Sequence, residues 1–309
     1  MSDVKKARMI YRSRDGQYPL FAAIRACGGW EQVGIDPGPE ITFVSGTYDS
    51  ENMLMDDKID LIFGSHVTPY LRYDEGKPFV YLGQVMNFSQ DVLITKLPVK
   101  SLSELKGKRF GYSSLGALGH YSLMLFFRKM GWDSVHDVSM LSGGGDPSSI
   151  TNGYVDAMAA TDVTLDEARK IGLRDLVDLS QYHFVMPGSG VNALSDWLPK
   201  NRDAAARFVK ATVEAIALVK TDKQAALASI TKWFGITDPA KLESVYADAM
   251  LLPSKPYPSI EGLKAMQSVY NWREMEIRTP EDFSDSSFVA ELDKSGFIDG
   301  LYKNKTAPR

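Results

Sequence analysis

The stretch Ser101-Leu-Ser-Glu-Leu-Lys-Gly-Lys-Arg-Phe-Gly-Tyr-Ser-Ser114 decides the fold, together with the loop Ser113-Ser-Leu-Gly-Ala-Leu-Gly-His120 that continues it. Ser101–Leu105 reads as a short helix, Gly107 as a turn and Arg109–Tyr112 as a strand. The Ser/Gly loop then opens a helix predicted over Leu118–Met130. A strand that feeds such a loop gathers free amides and hydroxyls at the helix start. Anions and small polar ligands are held at such places.

The chain before this stretch alternates strand and helix signals. Arg8–Tyr11 reads as a strand and Tyr18–Trp30 as a helix, with Leu20, Ile24 and Cys27 on one face. Glu40–Ser45 reads as a strand and Ser50–Asp57 as a short helix. Ile59–Phe63 is almost wholly apolar, as a strand buried on both faces must be. A helix over Thr68–Glu75 is stopped by Gly76 and Pro78, and strands follow at Phe79–Leu82 and Asp91–Thr95.

Beyond Tyr112, strands are expected at Val138–Leu141, Val155–Ala159 and Leu176–Leu179, with helices at Pro147–Asn152 and Leu165–Ile171. Phe184–Leu194 holds a strand and the triplet Gly188-Ser-Gly190. From Pro199 the pattern is helical: Arg202–Lys220, Lys223–Phe234, Pro239–Met250, Ile260–Trp272 and Ser287–Lys294. Two α/β series, each too small for a large domain, imply two lobes with a cleft between them.

Composition narrows the function classes. The 309 residues are 44% hydrophobic and 24% charged, which suits one large or two medium globular domains. A net charge of −4 without a long Lys/Arg run argues against nucleic acid as a partner. The single cysteine, Cys27, excludes an intramolecular disulfide and a multi-cysteine zinc site. Four histidines without paired helical spacing point to no metal site. No apolar stretch of about 18 residues is present, so no membrane span is expected. The N-terminus enters a strand without a basic start and apolar core, so a cytoplasmic location is expected if that start is native. The alternative is a periplasmic protein whose leader was removed.

Four segments resemble the type II periplasmic-binding-protein fold, in its sulfonate/nitrate/taurine-type and NMT1/THI5-like group. They are Asp56-Asp-Lys-Ile-Asp-Leu-Ile-Phe-Gly64 with Glu75-Gly-Lys-Pro78, Leu102–Gly111, Asn152-Gly-Tyr-Val-Asp-Ala157, and Phe208-Val-Lys-Ala-Thr-Val-Glu-Ala215. The resemblance implies lobe 1 over residues 1–96 and 184–309, lobe 2 over 97–183, and hinge closure around a ligand in the cleft. It implies no cofactor.

Cleft-facing loops of such a fold follow strand C-termini. The candidates for ligand binding are Arg12, Arg14, Asp15, Tyr18, Tyr48, Ser65, His66, Ser113, Ser114, His120 and Asp162. Arg12 or Arg14 would clamp a carboxylate or sulfonate, unless it is a solvated loop residue. Tyr18 and Tyr48 would stack on a flat ligand. His66 and His120 would donate to the anion or move a proton, or else are hydrogen-bonded structural histidines. His136 reads as a surface residue and His183 as a hinge residue. Cys27, on an apolar helix face, reads as core rather than as a nucleophile. Gly143-Gly-Gly-Asp-Pro147 lacks the Lys-Ser/Thr of a phosphate loop and reads as a turn approaching the ligand.

Two readings follow. One is a solute receptor for a small organic anion (a sulfonate, carboxylate or aromatic acid), with an ABC permease as partner if exported. The other is a cytoplasmic decarboxylase or desulfinase on the same scaffold. There Arg14 or Arg12 would hold the acid and His66 or His120 would transfer a proton.

Overall fold

The computed structural model describes residues 7–11, 35–36, 52–65, 79–270 and 278–303. Among the described residues, ten strands form two mixed sheets. In chain order these are β1 (Ala7–Tyr11), β2 (Ile35–Asp36), β3 (Leu61–Ser65), β4 (Phe79–Gln84), β5 (Val92–Thr95), β6 (Arg109–Tyr112), β7 (Ser139–Ser142), β8 (Ala157–Ala160), β9 (Arg174–Asp178) and β10 (Ser189–Leu194). The first sheet has the order β2-β1-β3-β10-β4 and the second β7-β6-β8-β5-β9. In each, one strand runs antiparallel to its neighbours: β10, the last strand of the first sheet in chain order, lies between β3 and β4, and β5, the first strand of the second, between β8 and β9.

The first sheet is apolar on both faces, which is why its strands read as continuous hydrophobic runs. Leu61, Phe63, Val80, Leu82, Val191 and Ala193 join a core with Phe208, Val209, Val213 and Ile216. Those four belong to the first C-terminal helix, Leu198–Thr221. Phe63 meets Phe208 edge-on at 6.2 Å. On the other face Ile62, Phe79 and Leu194 pack with Leu54 and Ile59. Asn201 leaves helical dihedrals inside Leu198–Thr221, so the expected start at Arg202 is where the regular helix begins.

A helical turn over residues 52–55 precedes β3, and from residue 118 onward the helices are α1 (Leu118–Met130), α2 (Ser148–Thr151), α3 (Asp162–Lys170), α4 (Leu198–Thr221), α5 (Lys223–Phe234), α6 (Pro239–Ala249), α7 (Ile260–Tyr270), α8 (Ser287–Lys294) and α9 (Phe297–Lys303). α1, α5 and α8 have the bounds that periodicity and capping predict; α9 was not read from sequence. The expected helix Ser101–Leu105 is a short 3-10 turn, Leu102–Leu105. Its capping box pairs Ser101 with Glu104. The expected elements at Tyr18–Trp30, Glu40–Ser45 and Thr68–Glu75 lie outside the described residues.

Val92–Thr95, which precedes the division expected after residue 96, pairs with β8 and β9 in the second sheet. The chain crosses between the sheets within residues 85–91 and returns within 179–188, before β10. The two crossings pair: Phe88 bridges Val185, the Met186 amide donates to Asn87 O at 2.9 Å and the Ser89 amide to Phe184 O at 3.0 Å. A cluster of Tyr81, Tyr121, Met186, Leu263, Met266, Tyr270 and Phe283 joins the first sheet, α1, the return crossing and α7.

Candidate functional site

The seat read from the sequence is built at the C-terminal end of β6. Arg109 fixes the far end of that strand. Its guanidinium holds Asp156 through Nε at 3.0 Å and Nη2 at 2.8 Å, and Nη1 donates to Gly153 O at 2.8 Å. Asp156 Oδ2 also accepts from the Arg109 amide at 2.9 Å. The Arg109 guanidinium thereby holds the Asp156 carboxyl below the usual carboxylate range. This pair ties the turn before β8 to the start of β6 and explains the Gly153-Tyr-Val-Asp-Ala157 spacing.

At the other end of β6 the chain turns through Ser113–Gly116 into α1. The N-cap is Ala117, which offers no side-chain acceptor and so makes no capping bond to the first turn of α1. Ser113 is exposed and Ser114 half-buried beside it. α3 starts in the same way beyond β8, with Thr161 at its N-cap and no side-chain capping bond. β6 and β8 are adjacent and parallel, so two helix N-termini open at one end of the second sheet.

The glycine-rich loop after β7 has a structural cause. The Gly144 amide donates to Tyr112 O at 3.0 Å and the Gly143 amide to Ser113 O at 3.4 Å. A Cβ on Gly145 would stand 2.5 Å from the Ser113 nitrogen, and one on Gly144 2.8 Å from Gly111 Cα. The glycines let this loop lie against the backbone of the seat.

His120 lies in the first turn of α1 and is 5% exposed. Its Nδ1 is 2.8 Å from the Tyr270 hydroxyl and accepts weakly from the Gly116 amide at 3.4 Å. The ring stacks on Tyr270, with centroids 5.5 Å apart, and tilts against Tyr112 at 4.5 Å. Burial lowers its pKa to about 4. His120 is therefore neutral at pH 7 and gives no full positive charge to an anion. Its geometry is that of a pin between α1 and α7.

Ser65 ends β3, and Ser189 is its register partner across to β10. Asp162 opens α3. The side chains of Ser65 and Asp162, and all of Arg12, Arg14, Asp15, Tyr18, Tyr48, His66 and Cys27, lie outside the described residues. His136 is exposed, as read; His183 is exposed at the return crossing, 6.4 Å from the Phe88 ring. Among the described residues no three His, Cys, Asp or Glu side chains gather as metal ligands, and no helix is long and apolar enough to cross a membrane.

Sequence reading missed Gln84. It is fully buried; its Nε2 donates to Met86 O at 3.0 Å and Met186 O at 3.1 Å, and its Oε1 accepts from the Ser259 amide at 2.8 Å. One amide thus binds both crossings and the entry to α7. The available signal was a glutamine ending the otherwise apolar strand Phe79-Val-Tyr-Leu-Gly-Gln84. Tyr270 carried no such signal, being 150 residues from its partner.

A family model described as NMT1/THI5 like matches residues 28–226. No curated protein sequence matches the chain. Among solved structures, the chain is similar to the periplasmic aliphatic sulphonate binding protein SsuA from Escherichia coli. That similarity has 21% identity and a TM-score of 0.64, covering 86% of this chain and 91% of that one. The alkanesulfonate-binding protein SsuA from Xanthomonas axonopodis pv. citri, bound to MOPS, is similar at 17% identity with a TM-score of 0.66, covering 91% and 98%. The desulfurization enzyme DSZB is similar at 16% identity with a TM-score of 0.64, covering 93% and 99%. These likenesses establish the two-lobed periplasmic-binding-protein fold with a helical C-terminal region.

Proposed function

The chain belongs to the NMT1/THI5-like family, and from that premise we propose that it is a solute receptor which binds a small organic anion and passes it to an ABC permease. The anion is a sulfonate, a carboxylate or an aromatic acid. The observation that carries this reading is the N-terminus of α1 at the end of β6, with Ala117 at its N-cap, beside Ser113 and Ser114. Its first-turn amides and positive dipole end suit an anionic oxygen. The start of α3 at Asp162 adds a second such end on the neighbouring strand.

In this reading the second lobe is built on the sheet β5–β9, and the first on the other sheet with the C-terminal helices. Arg12, Arg14, Asp15, Tyr18, Tyr48, Ser65 and His66 form the facing wall, with an arginine paired to the anion. The paired crossings at Phe88 and Val185 act as the hinge. A receptor of this kind works outside the cytoplasmic membrane, so the periplasmic location goes with the proposal.

The alternative is a desulfinase-type or decarboxylase-type enzyme, favoured by the likeness to DSZB. The burial of His120 against Tyr270 counts against it as the proton carrier. Calorimetric titration with a short alkanesulfonate and with benzoate, followed by product analysis, tests both readings. The receptor reading expects one saturable site, weakened by Ser113→Ala and Arg14→Ala, with the ligand recovered intact. Turnover would overturn it in favour of the enzyme, and absence of binding to any such anion would sink both.

A further inference from the structure

The second sheet is held from both of its faces. Alternation along β8 sends Ala157 and Ala159 to one face, where Leu123 and Phe126 of α1 pack. It sends Met158 and Ala160 to the other, where Leu165 and Ala168 of α3 pack. Each of these two helices also meets a C-terminal helix that packs with the first sheet. On the α1 side His120 meets Tyr270 of α7, and Arg128 Nη1 donates to Ser268 Oγ at 2.8 Å. On the α3 side Lys241 Nζ of α6 pairs with the Asp166 carboxylate. α6 is anchored with the first sheet, since Tyr246 and Ala249 share a core with Val213 and Ile216 of α4.

Lys241 is placed for this contact. It lies in the first turn of α6, where a cation opposes the helix dipole, so its own helix gives no reason for a lysine there. Its amide donates to Oδ1 of the N-cap Asp238 at 2.8 Å, which fixes the start of α6. Asp166 lies one turn into α3, the helix whose N-terminus opens at the same end of the second sheet as the anion seat. Arg169 stands 4.0 Å from Asp166 and is itself engaged with Asp175. The Lys241 and Asp166 side chains are both 37% exposed, so water screens the pair and leaves it weak enough to break and re-form.

We propose that Lys241 and Asp166 are positioning residues of the cleft, a brace between the second sheet and the C-terminal helices of the first. Contacts on opposite faces of one sheet oppose each other: a rotation about the crossings that tightens one pulls the other apart. The α1 contact is buried at His120 and Tyr270, so the exposed ion pair on the α3 side is the part that yields. While the pair is made, the second sheet keeps one orientation and the N-terminus of α3 stays aimed at the ligand. Its effect on binding rests on the anion cleft proposed above; its effect on the crossings needs no ligand.

The test compares the wild type with Lys241→Glu and with the charge-swapped double variant Asp166→Lys/Lys241→Glu. A glutamate suits the first turn of a helix, so Lys241→Glu keeps the native melting temperature. Should it not, Lys241→Gln removes the charge alone and gives the same reading. In the ligand-free protein, hydrogen exchange of the Ser89 and Met186 amides, which join the crossings, accelerates about threefold in Lys241→Glu. Calorimetric titration with a short alkanesulfonate shows binding weakened about two- to fivefold. The double variant, with the pair restored in reverse, returns both readings to the wild-type values. Wild-type exchange in the single variant, faster exchange with unchanged affinity, or a double variant as loose as Lys241→Glu would overturn the proposal. If the wild type binds no alkanesulfonate, the receptor reading fails, while the exchange rates still decide whether the brace exists.

Discussion

His120 and Tyr270, 150 residues apart in sequence, meet at 2.8 Å through Nδ1 and the phenol hydroxyl, with their rings within 9° of parallel. The contact joins the helix that opens the candidate seat to the C-terminal helix packed on the return crossing. Nδ1 accepts from the Gly116 amide, so the Tyr270 hydroxyl also donates to it and the ring proton sits on Nε2. This arrangement requires the neutral ring.

That requirement makes stability depend on pH. The pKa of His120 falls from 6.5 to about 4 in the folded protein because burial disfavours the charged ring. The unfolded chain therefore binds the proton first. The contribution of His120 is fully present above about pH 6.5, declines as pH falls, and is lost below about pH 4. The loss amounts to at most about 3 kcal/mol. Urea unfolding from pH 7 to pH 4 should show it in the wild type, and His120→Phe should remove that part of the slope. An equal slope in the variant would assign the effect to other groups.

Installing a cap at α1 should separate stability from binding. Ala117→Asp places a carboxylate at a position whose dihedrals already suit an N-cap. Helix stabilisation of about 1 kcal/mol is expected. The same carboxylate occupies the amides and opposes the ligand's charge, so affinity for the alkanesulfonate should fall at least tenfold. A variant that is more stable and binds unchanged would show that these amides do not hold the anion.

Gly145→Ala should damage the seat from behind. The added methyl would stand 2.5 Å from the Ser113 nitrogen, a contact that backbone must yield to. A loss of about 1–3 kcal/mol is expected, with weaker anion binding because Ser113 shifts. Thermal melts and the sulfonate titration read the two effects independently. Unchanged values in both would mean that the loop relaxes freely.

Gln84→Leu keeps the volume of the buried side chain and removes its three hydrogen bonds. The carbonyls of Met86 and Met186 and the amide of Ser259 lose their partner. At about 1–3 kcal/mol for each buried group left unmade, a loss of several kcal/mol is expected. Hydrogen exchange should accelerate first at Met186 and Ser89, whose amides join the two crossings.

Asp156→Ala should destabilise by about 1–3 kcal/mol without touching the seat directly. The carboxylate accepts both from the Arg109 guanidinium and from the Arg109 amide. Its pKa is lowered in the fold, so its contribution is present above the ordinary carboxylate range and is lost as pH falls through the lowered value. Acid titration of wild type and variant, compared by unfolding midpoint, checks the sign.

The sequence by itself determined the local elements and the order in which they occur. Periodicity and helix signals placed α1 at Leu118–Met130, α5 at Lys223–Phe234 and β6 at Arg109–Tyr112, because those signals lie within a few residues of the element they specify. The resemblance of Leu102–Gly111 and Asn152–Ala157 to a known family gave the two-lobed fold. Only the tertiary structure decided which sheet Val92–Thr95 joins, since a short apolar strand fits either sheet until its register partners on both sides, Ala157–Ala160 and Arg174–Asp178, are in place. It also decided the state of His120. A histidine at a helix start reads as an anion donor in the sequence, and becomes a neutral pin once folding brings Tyr270 against it and removes its water. Signals of short range fix helices and strands; contacts between distant residues, and the desolvation they bring, fix what a side chain can do.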